Sequence, residues 1–114
     1  MSVQKLLAAG KEAAPTLARA QTATKNQALS AIADELLARL DEVIAANEID
    51  MENGKEKLST GLLDRLKLTP SRIEGLAKAV REVIDLEDPV GKIIEEKTLP
   101  NGIRLQKISV PLGV

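Results

Sequence analysis

The sequence predicts a mainly α-helical chain, about four helices followed by a C-terminal β-hairpin. Three observations carry that expectation. Apolar residues return at three- and four-residue steps through two long stretches before Pro89. After Pro89 the period changes, and Lys92 to Leu99 and Ile103 to Val110 are enriched in β-branched and aliphatic residues. Between these two arms stands Asn101-Gly102, a dipeptide that tolerates the left-handed backbone of a tight turn.

The elements follow in order. From Val3 to Ala20, the positions Val3, Leu6, Leu7, Gly10, Ala14, Leu17 and Ala18 form a thin helical stripe, with a kink or break expected at Pro15, which removes a backbone donor. Thr22 or Thr24 can cap the next helix, and Thr24 with Gln27 has capping-box spacing. Leu29, Ile32, Ala33, Leu36, Leu37, Leu40, Val43 and Ile44 then make an unbroken stripe, predicting one helix to about Ala46, with Glu35 and Arg39 paired on its wet face. Asn47 to Lys57 is polar and Asn53-Gly54 signals a turn or helix end, although Ile49, Met51 and Leu58 could anchor a short exposed helix. Gly61 to Leu68 reads as a short leucine-rich helix. Thr69-Pro70 reads as an N-cap with proline in the first turn, opening a helix striped by Ile73, Leu76, Ala77, Val80, Val83 and Ile84 and supported by Glu74 and Lys78.

Lys92 to Leu99 and Ile103 to Val110 are the arms of the hairpin, joined by a two-residue turn at Asn101-Gly102. In the second arm the apolar phase slips at Gln106-Lys107, which calls for a bulge or a change of neighbouring face. A lone two-stranded hairpin is marginal in water, so this one is expected to pair with something else. The organisation is therefore a helical region over 1–90 followed by a hairpin over 91–110.

The 114 residues carry 16 Lys+Arg and 17 Asp+Glu, a net charge of −1, and no His, Cys or aromatic residue. Imidazole and thiol chemistry is thereby absent, and with it the usual zinc, haem and iron–sulfur ligands. Balanced charge and missing aromatics argue against nucleic acid as a partner. No apolar run is long enough for a membrane span and Met1 to Gly10 lacks signal-peptide character, so a cytoplasmic location is expected.

Sharper readings of single clusters yield to ordinary ones. Glu48, Asp50 and Glu52 as a cation site, or Glu95-Glu96 as a base pair, give way to solvated charge. Lys5, Lys11 and Arg19 serve helix solubility, and Ser59-Thr60-Gly61 is a helix-start turn rather than a phosphate nest. The residues alone leave open a free-standing helical protein-interaction module without enzymatic activity.

The stretches "AANEIDMENG" (Ala45 to Gly54), "LLDRLKLTPSRI" (Leu62 to Ile73), "DPVGKII" (Asp88 to Ile94) and "NGIRLQKISVPLGV" (Asn101 to Val114) resemble the N-terminal quarter of the γ-glutamyl phosphate reductases. That family, also called glutamate-5-semialdehyde dehydrogenases, lies in the aldehyde dehydrogenase superfamily. The resemblance implies the N-terminal part of an α/β fold, with 1–90 as the helical N-terminal region of its nucleotide-binding domain, the hairpin over 91–110 as an oligomerisation element and 111–114 as the truncated start of the next strand. It also implies a parent enzyme that reduces L-glutamyl 5-phosphate to glutamate 5-semialdehyde with NADPH in proline biosynthesis, through a cysteine thioester. It transfers no catalytic, cofactor-binding or metal residue to this chain, which has no cysteine, so the fragment alone is expected to be inactive and to bind no cofactor. Its implied partners are the rest of the parent enzyme and a second subunit of a homo-oligomer, reached through the hairpin, with Ile93, Ile94, Ile103, Leu105 and Ile108 as interface residues.

Overall fold

A computed structural model describes residues 2–112. In chain order they form α1 (Val3–Ala18), α2 (Thr22–Ala38), α3 (Leu40–Gly54), α4 (Thr60–Leu66), α5 (Pro70–Ile84), β1 (Ile93–Thr98) and β2 (Arg104–Ile108). By contacts the chain divides into two compact units. One comprises the residues up to Lys25 together with those from Glu87 onward, and the other is Asn26–Leu86. The expectation of a further strand at 111–114 falls partly on residues 113 and 114, outside the described residues; Pro111 and Leu112 are not in a strand.

In the first unit, α1 opens on Ser2, whose hydroxyl accepts the Lys5 N–H at 3.3 Å. The expected break at Pro15 does not occur, and the helix runs through it to Ala18. Pro15 falls in the last turn and, like Lys11 one turn before it, is exposed, so water can reach the carbonyl that the missing donor frees. α2 begins at Thr22, so Thr24 lies inside the helix rather than capping it.

The second unit departs from the single long helix the stripe predicts. Arg39 leaves helical geometry at φ −108°, ψ 25°, separating α2 from α3. The hydrogen-bond ladder survives around it, with Arg39 N donating to Glu35 O at 2.9 Å and Val43 N to Arg39 O at 3.1 Å. No breaker residue marks the place; the cause is tertiary, since α3 packs on both α4 and α5. Arg39 pairs with Glu42 at 2.7 Å instead of with Glu35, and Lys78 with Glu82 at 3.9 Å instead of with Glu74.

α3 continues past Ala46 through the polar stretch and ends at Gly54, within the Asn53-Gly54 turn or helix-end signal. Asn47 explains this extension. Its amide donates to Leu66 O at 2.8 Å and its carbonyl oxygen accepts Leu68 N at 2.8 Å, so a buried polar side chain satisfies the orphaned backbone at the exit of α4. Gly54 is buried where a Cβ would meet Leu58 Cδ1 at 3.0 Å, which makes the helix end a close-packing point. Ser59 caps α4 and Thr69 caps α5, accepting the N–H groups of Leu62 and Arg72, and Pro70 occupies the first turn of α5 as the sequence predicts.

The core is thin. Ala33 of α2 and Ile73 and Ala77 of α5 are buried, with Ile73 the largest side chain fully withdrawn from solvent among the described residues. Along the same stripes Ile32, Leu62, Leu76 and Val83 remain about half exposed. No helix of the described residues is long and apolar enough to cross a membrane.

Candidate functional site

The hairpin is the element whose backbone and apolar side chains are least provided for by this chain. β1 and β2 pair antiparallel, Thr98 opposite Arg104, Lys97 opposite Leu105, Glu96 opposite Gln106, Glu95 opposite Lys107 and Ile93 opposite Ile108. The loop is one residue longer than predicted. Gly102 N donates to Leu99 O at 2.9 Å and Leu99 N to Ile103 O at 2.8 Å, so Pro100, Asn101 and Gly102 all lie in the connection. Pro100 is the reason. A two-residue Asn101-Gly102 turn would need residue 100 to donate a backbone hydrogen bond across the strands, and proline has no N–H. Instead Pro100 takes the second position of a β-turn, Gly102 adopts φ +87°, and Asn101 Oδ1 accepts Ile103 N at 3.1 Å.

The phase slip in the second arm resolves differently from a bulge at Gln106-Lys107. β2 is regular; the irregularity lies on β1, between Ile93 and Glu95. Alternation along β2 therefore places Ile103 and Leu105 on one face with Leu99 of the first arm, and Ile108 on the other face with Ile93. The apolar surface changes sides midway along the hairpin. Of the five expected interface residues, Ile103 and Leu105 share the turn end of one face, Ile93 and Ile108 share the open end of the other, and Ile94 is the extra residue at the bulge. All five are exposed, between 45% and 59%.

Between those apolar ends the strands carry charge. The Glu96 carboxylate is bracketed by the Arg104 guanidinium, which donates to Oε1, and by Gln106 Nε2 at 3.2 Å from Oε2. These bonds hold its pKa below the usual carboxylate value, Arg104 contributing most. Glu95 lies on the opposite face from Glu96, so the two form no carboxylate pair.

The base of the hairpin is fastened by a group that sequence reading passed over. Asp88 accepts the Thr22 hydroxyl at 2.7 Å and the Val90 N–H at 3.0 Å, and pairs with Lys25 Nζ at 2.5 Å. The Lys25 and Thr22 hydrogen bonds, in that order, lower the Asp88 pKa to about 2. The signal available was local: an Asp before Pro is set to bond the amide two residues on. Nothing local points to Thr22 and Lys25. Beside this clasp, α1 presents Leu6, Leu7 and Leu17 on an open apolar groove that Val90 and Pro111 also line.

The remaining clusters stay apart from this site. Glu48, Asp50 and Glu52 ride on α3, where Glu52 meets Lys55 at 3.8 Å. The sheet of the described residues is a two-stranded antiparallel ribbon.

The arrangement defines a class: an α-helical region followed by a β-hairpin whose apolar residues are exposed at both of its ends. Comparison with known proteins gives that class its particular relatives. The chain is 50% identical over 107 residues to "Gamma-glutamyl phosphate reductase" of Leifsonia xyli, an alignment covering 93% of this chain and 25% of that protein. The crystal structure of the Thermotoga maritima enzyme of the same name matches with a TM-score of 0.81 at 39% identity, over 89% of this chain and 25% of that one. The Saccharomyces cerevisiae enzyme matches with a TM-score of 0.84 at 31% identity, over 97% of this chain and 29% of that one. No family model matches. The resemblance read from the sequence therefore holds in both sequence and backbone, and the chain spans about a quarter of the length of the curated relatives it matches.

Proposed function

We propose that this chain is the N-terminal part of a γ-glutamyl phosphate reductase, where it serves as scaffold and as a subunit-bridging arm rather than as a source of catalytic groups. The observation that carries the reading is identity of 50% over 93% of the chain to a reductase of which that stretch is 25%. The half-exposed stripes of α2, α4 and α5 and the groove on α1 agree with it, being surfaces that further polypeptide would cover. A free-standing interaction module is less favoured, because the relatives carry this stretch within far longer chains.

In this reading the parent is a cytoplasmic oxidoreductase of proline biosynthesis that converts γ-glutamyl phosphate to glutamate 5-semialdehyde with NADPH. In this reading the thiolate and the cofactor site belong to residues outside this chain, which contains no cysteine. The contribution of these residues is geometric. The Asp88 clasp holds the root of the hairpin, and the hairpin carries Ile103 and Leu105 outward to a second subunit.

Two measurements test the proposal. The longer polypeptide carrying these residues should oxidise NADPH in the presence of γ-glutamyl phosphate, and the 114-residue chain should not; turnover by the short chain overturns the scaffold assignment. In the longer polypeptide, Ile103→Lys with Leu105→Lys should weaken subunit association before it affects NADPH binding. An unchanged oligomer mass removes the bridging role.

A further inference from the structure

Asparagine followed by glycine occurs twice in the chain, at Asn53-Gly54 and at Asn101-Gly102. The pair carries a latent reaction. The backbone nitrogen of the glycine can attack the side-chain carbonyl carbon of the asparagine and close a five-membered ring, because glycine has no Cβ to hinder the approach. The two sites stand in opposite surroundings.

Asn53 and Gly54 form the end of α3. In a helix the Cα–Cβ bond tilts toward the N-terminus, which directs the Asn53 side chain away from the amide of the next residue. Gly54 is buried, its Cβ position 3.0 Å from Leu58 Cδ1 and 3.4 Å from Leu66 Cδ2. Its carbonyl accepts the N–H groups of Lys57 and Leu58 at 3.0 and 2.9 Å. Bringing the Gly54 nitrogen onto Asn53 therefore requires this packed helix end to open.

Asn101 and Gly102 are exposed. Gly102 adopts φ +87°, and beyond its chain neighbours no atom of the described residues lies within 4 Å of where a Cβ would stand. One exposed turn bond, from Gly102 N to Leu99 O at 2.9 Å, restrains the nucleophile. Ile103 N donates to Asn101 Oδ1 at 3.1 Å. That oxygen gathers negative charge when its carbon is attacked, so a backbone donor already stands where the tetrahedral intermediate needs one.

We infer that Asn101 is a site of spontaneous covalent modification in the folded chain, that Asn53 is not, and that the longer-backboned product opens the hairpin turn. The Gly102 nitrogen gives up its hydrogen and bonds to Asn101 Cγ; the Cγ–Nδ2 bond breaks, and ammonia leaves with that hydrogen, giving a cyclic imide. Water then opens the imide at either carbonyl. Cleavage of the N–Cγ bond gives aspartate, which keeps an acceptor for Ile103 N. Cleavage on the main-chain side gives isoaspartate, whose backbone runs through Cβ and Cγ and is one carbon longer, so that Gly102 N is carried away from Leu99 O. The inference concerns residues of this chain alone and stands apart from the bridging role proposed above.

Incubating the 114-residue chain at mildly alkaline pH, folded and in concentrated denaturant, and mapping the amide-to-acid mass gain by peptide tests it. In denaturant the two asparagines should convert at comparable rates. In the folded chain Asn101 should stay within about tenfold of its unfolded rate, whereas Asn53, reacting only through local opening, should slow by at least about a hundredfold. Equal slowing at the two sites, faster conversion at Asn53, or no slowing at either overturns the assignment. Asn101→Gln, whose side chain would have to close a six-membered ring, should remove the product from the hairpin peptide; a mass gain that persists there overturns Asn101 as its source. Amide exchange on the separated products reads the turn. The Gly102 amide should exchange about tenfold faster in the isoaspartyl product and keep its rate in Asn101→Asp. An unchanged Gly102 amide in the isoaspartyl product overturns the opening of the turn.

Discussion

In the helical unit Ile73 and Ala77 are withdrawn from solvent and Asn47 ties α3 to the end of α4, whereas every residue of β1 and β2 is exposed. The first region carries its own packing partners in sequence; the second carries a defined backbone and leaves its surfaces open. The difference separates two kinds of apolar residue that look alike on paper. Ile73 and Ile103 are the same amino acid in equally periodic settings, but one is 0% and the other 55% exposed. Only the first can contribute much to the stability of this chain.

Substitutions should divide along that line. The largest effect belongs to Ile73→Ala, which empties a fully buried site and should lower stability by about 2–4 kcal/mol in denaturant unfolding. A smaller loss, about 1–3 kcal/mol, follows from Asn47→Leu, which strands the Leu66 carbonyl and the Leu68 N–H in the same unit. At the root of the hairpin the effect is one of pH. The Asp88 pKa of about 2 lies below the ordinary value. The clasp is therefore at full strength above roughly pH 4 and is lost as the pH falls through the depressed value. Acid titration followed by amide exchange at Val90 should show that loss, and Asp88→Asn should abolish its pH dependence. Smallest of all, Ile103→Lys with Leu105→Lys should move the unfolding free energy of the 114-residue chain by no more than about 0.5 kcal/mol. A large destabilisation there would mean that the hairpin is packed within this chain after all.

What the sequence made legible follows the range of the interaction involved. The caps at Ser59 and Thr69 and the proline opening α5 depend on neighbours three residues apart, and they stand where the sequence puts them. The hairpin was placed by Asn101-Gly102, but the length of its loop turned on Pro100, whose missing N–H outweighs the preference of the dipeptide beside it. The interruption at Arg39 and the continuation of α3 past Ala46 were hidden, because α3 packs on α4 and α5, whereas its end at Gly54 was marked by Asn53-Gly54. Asn47 could have been suspected, as a polar residue continuing the spacing of Leu40, Val43 and Ile44. Of the candidate site, the apolar residues were visible one by one; their division between two faces required the position of the bulge.

The Asp88 clasp also bears on the order in which the chain can acquire its shape. Its bond to Thr22 joins residues 66 positions apart, whereas the hairpin turn closes a loop of a few residues. Closing the longer loop from an unfolded chain costs conformational entropy that a single exposed contact does not recover. Folding of Asn26–Leu86 shortens that effective loop, so the clasp forms after the helices between its ends. The root of the hairpin is thus fastened after the intervening chain has folded, although the hairpin's own strands lie only a few residues apart.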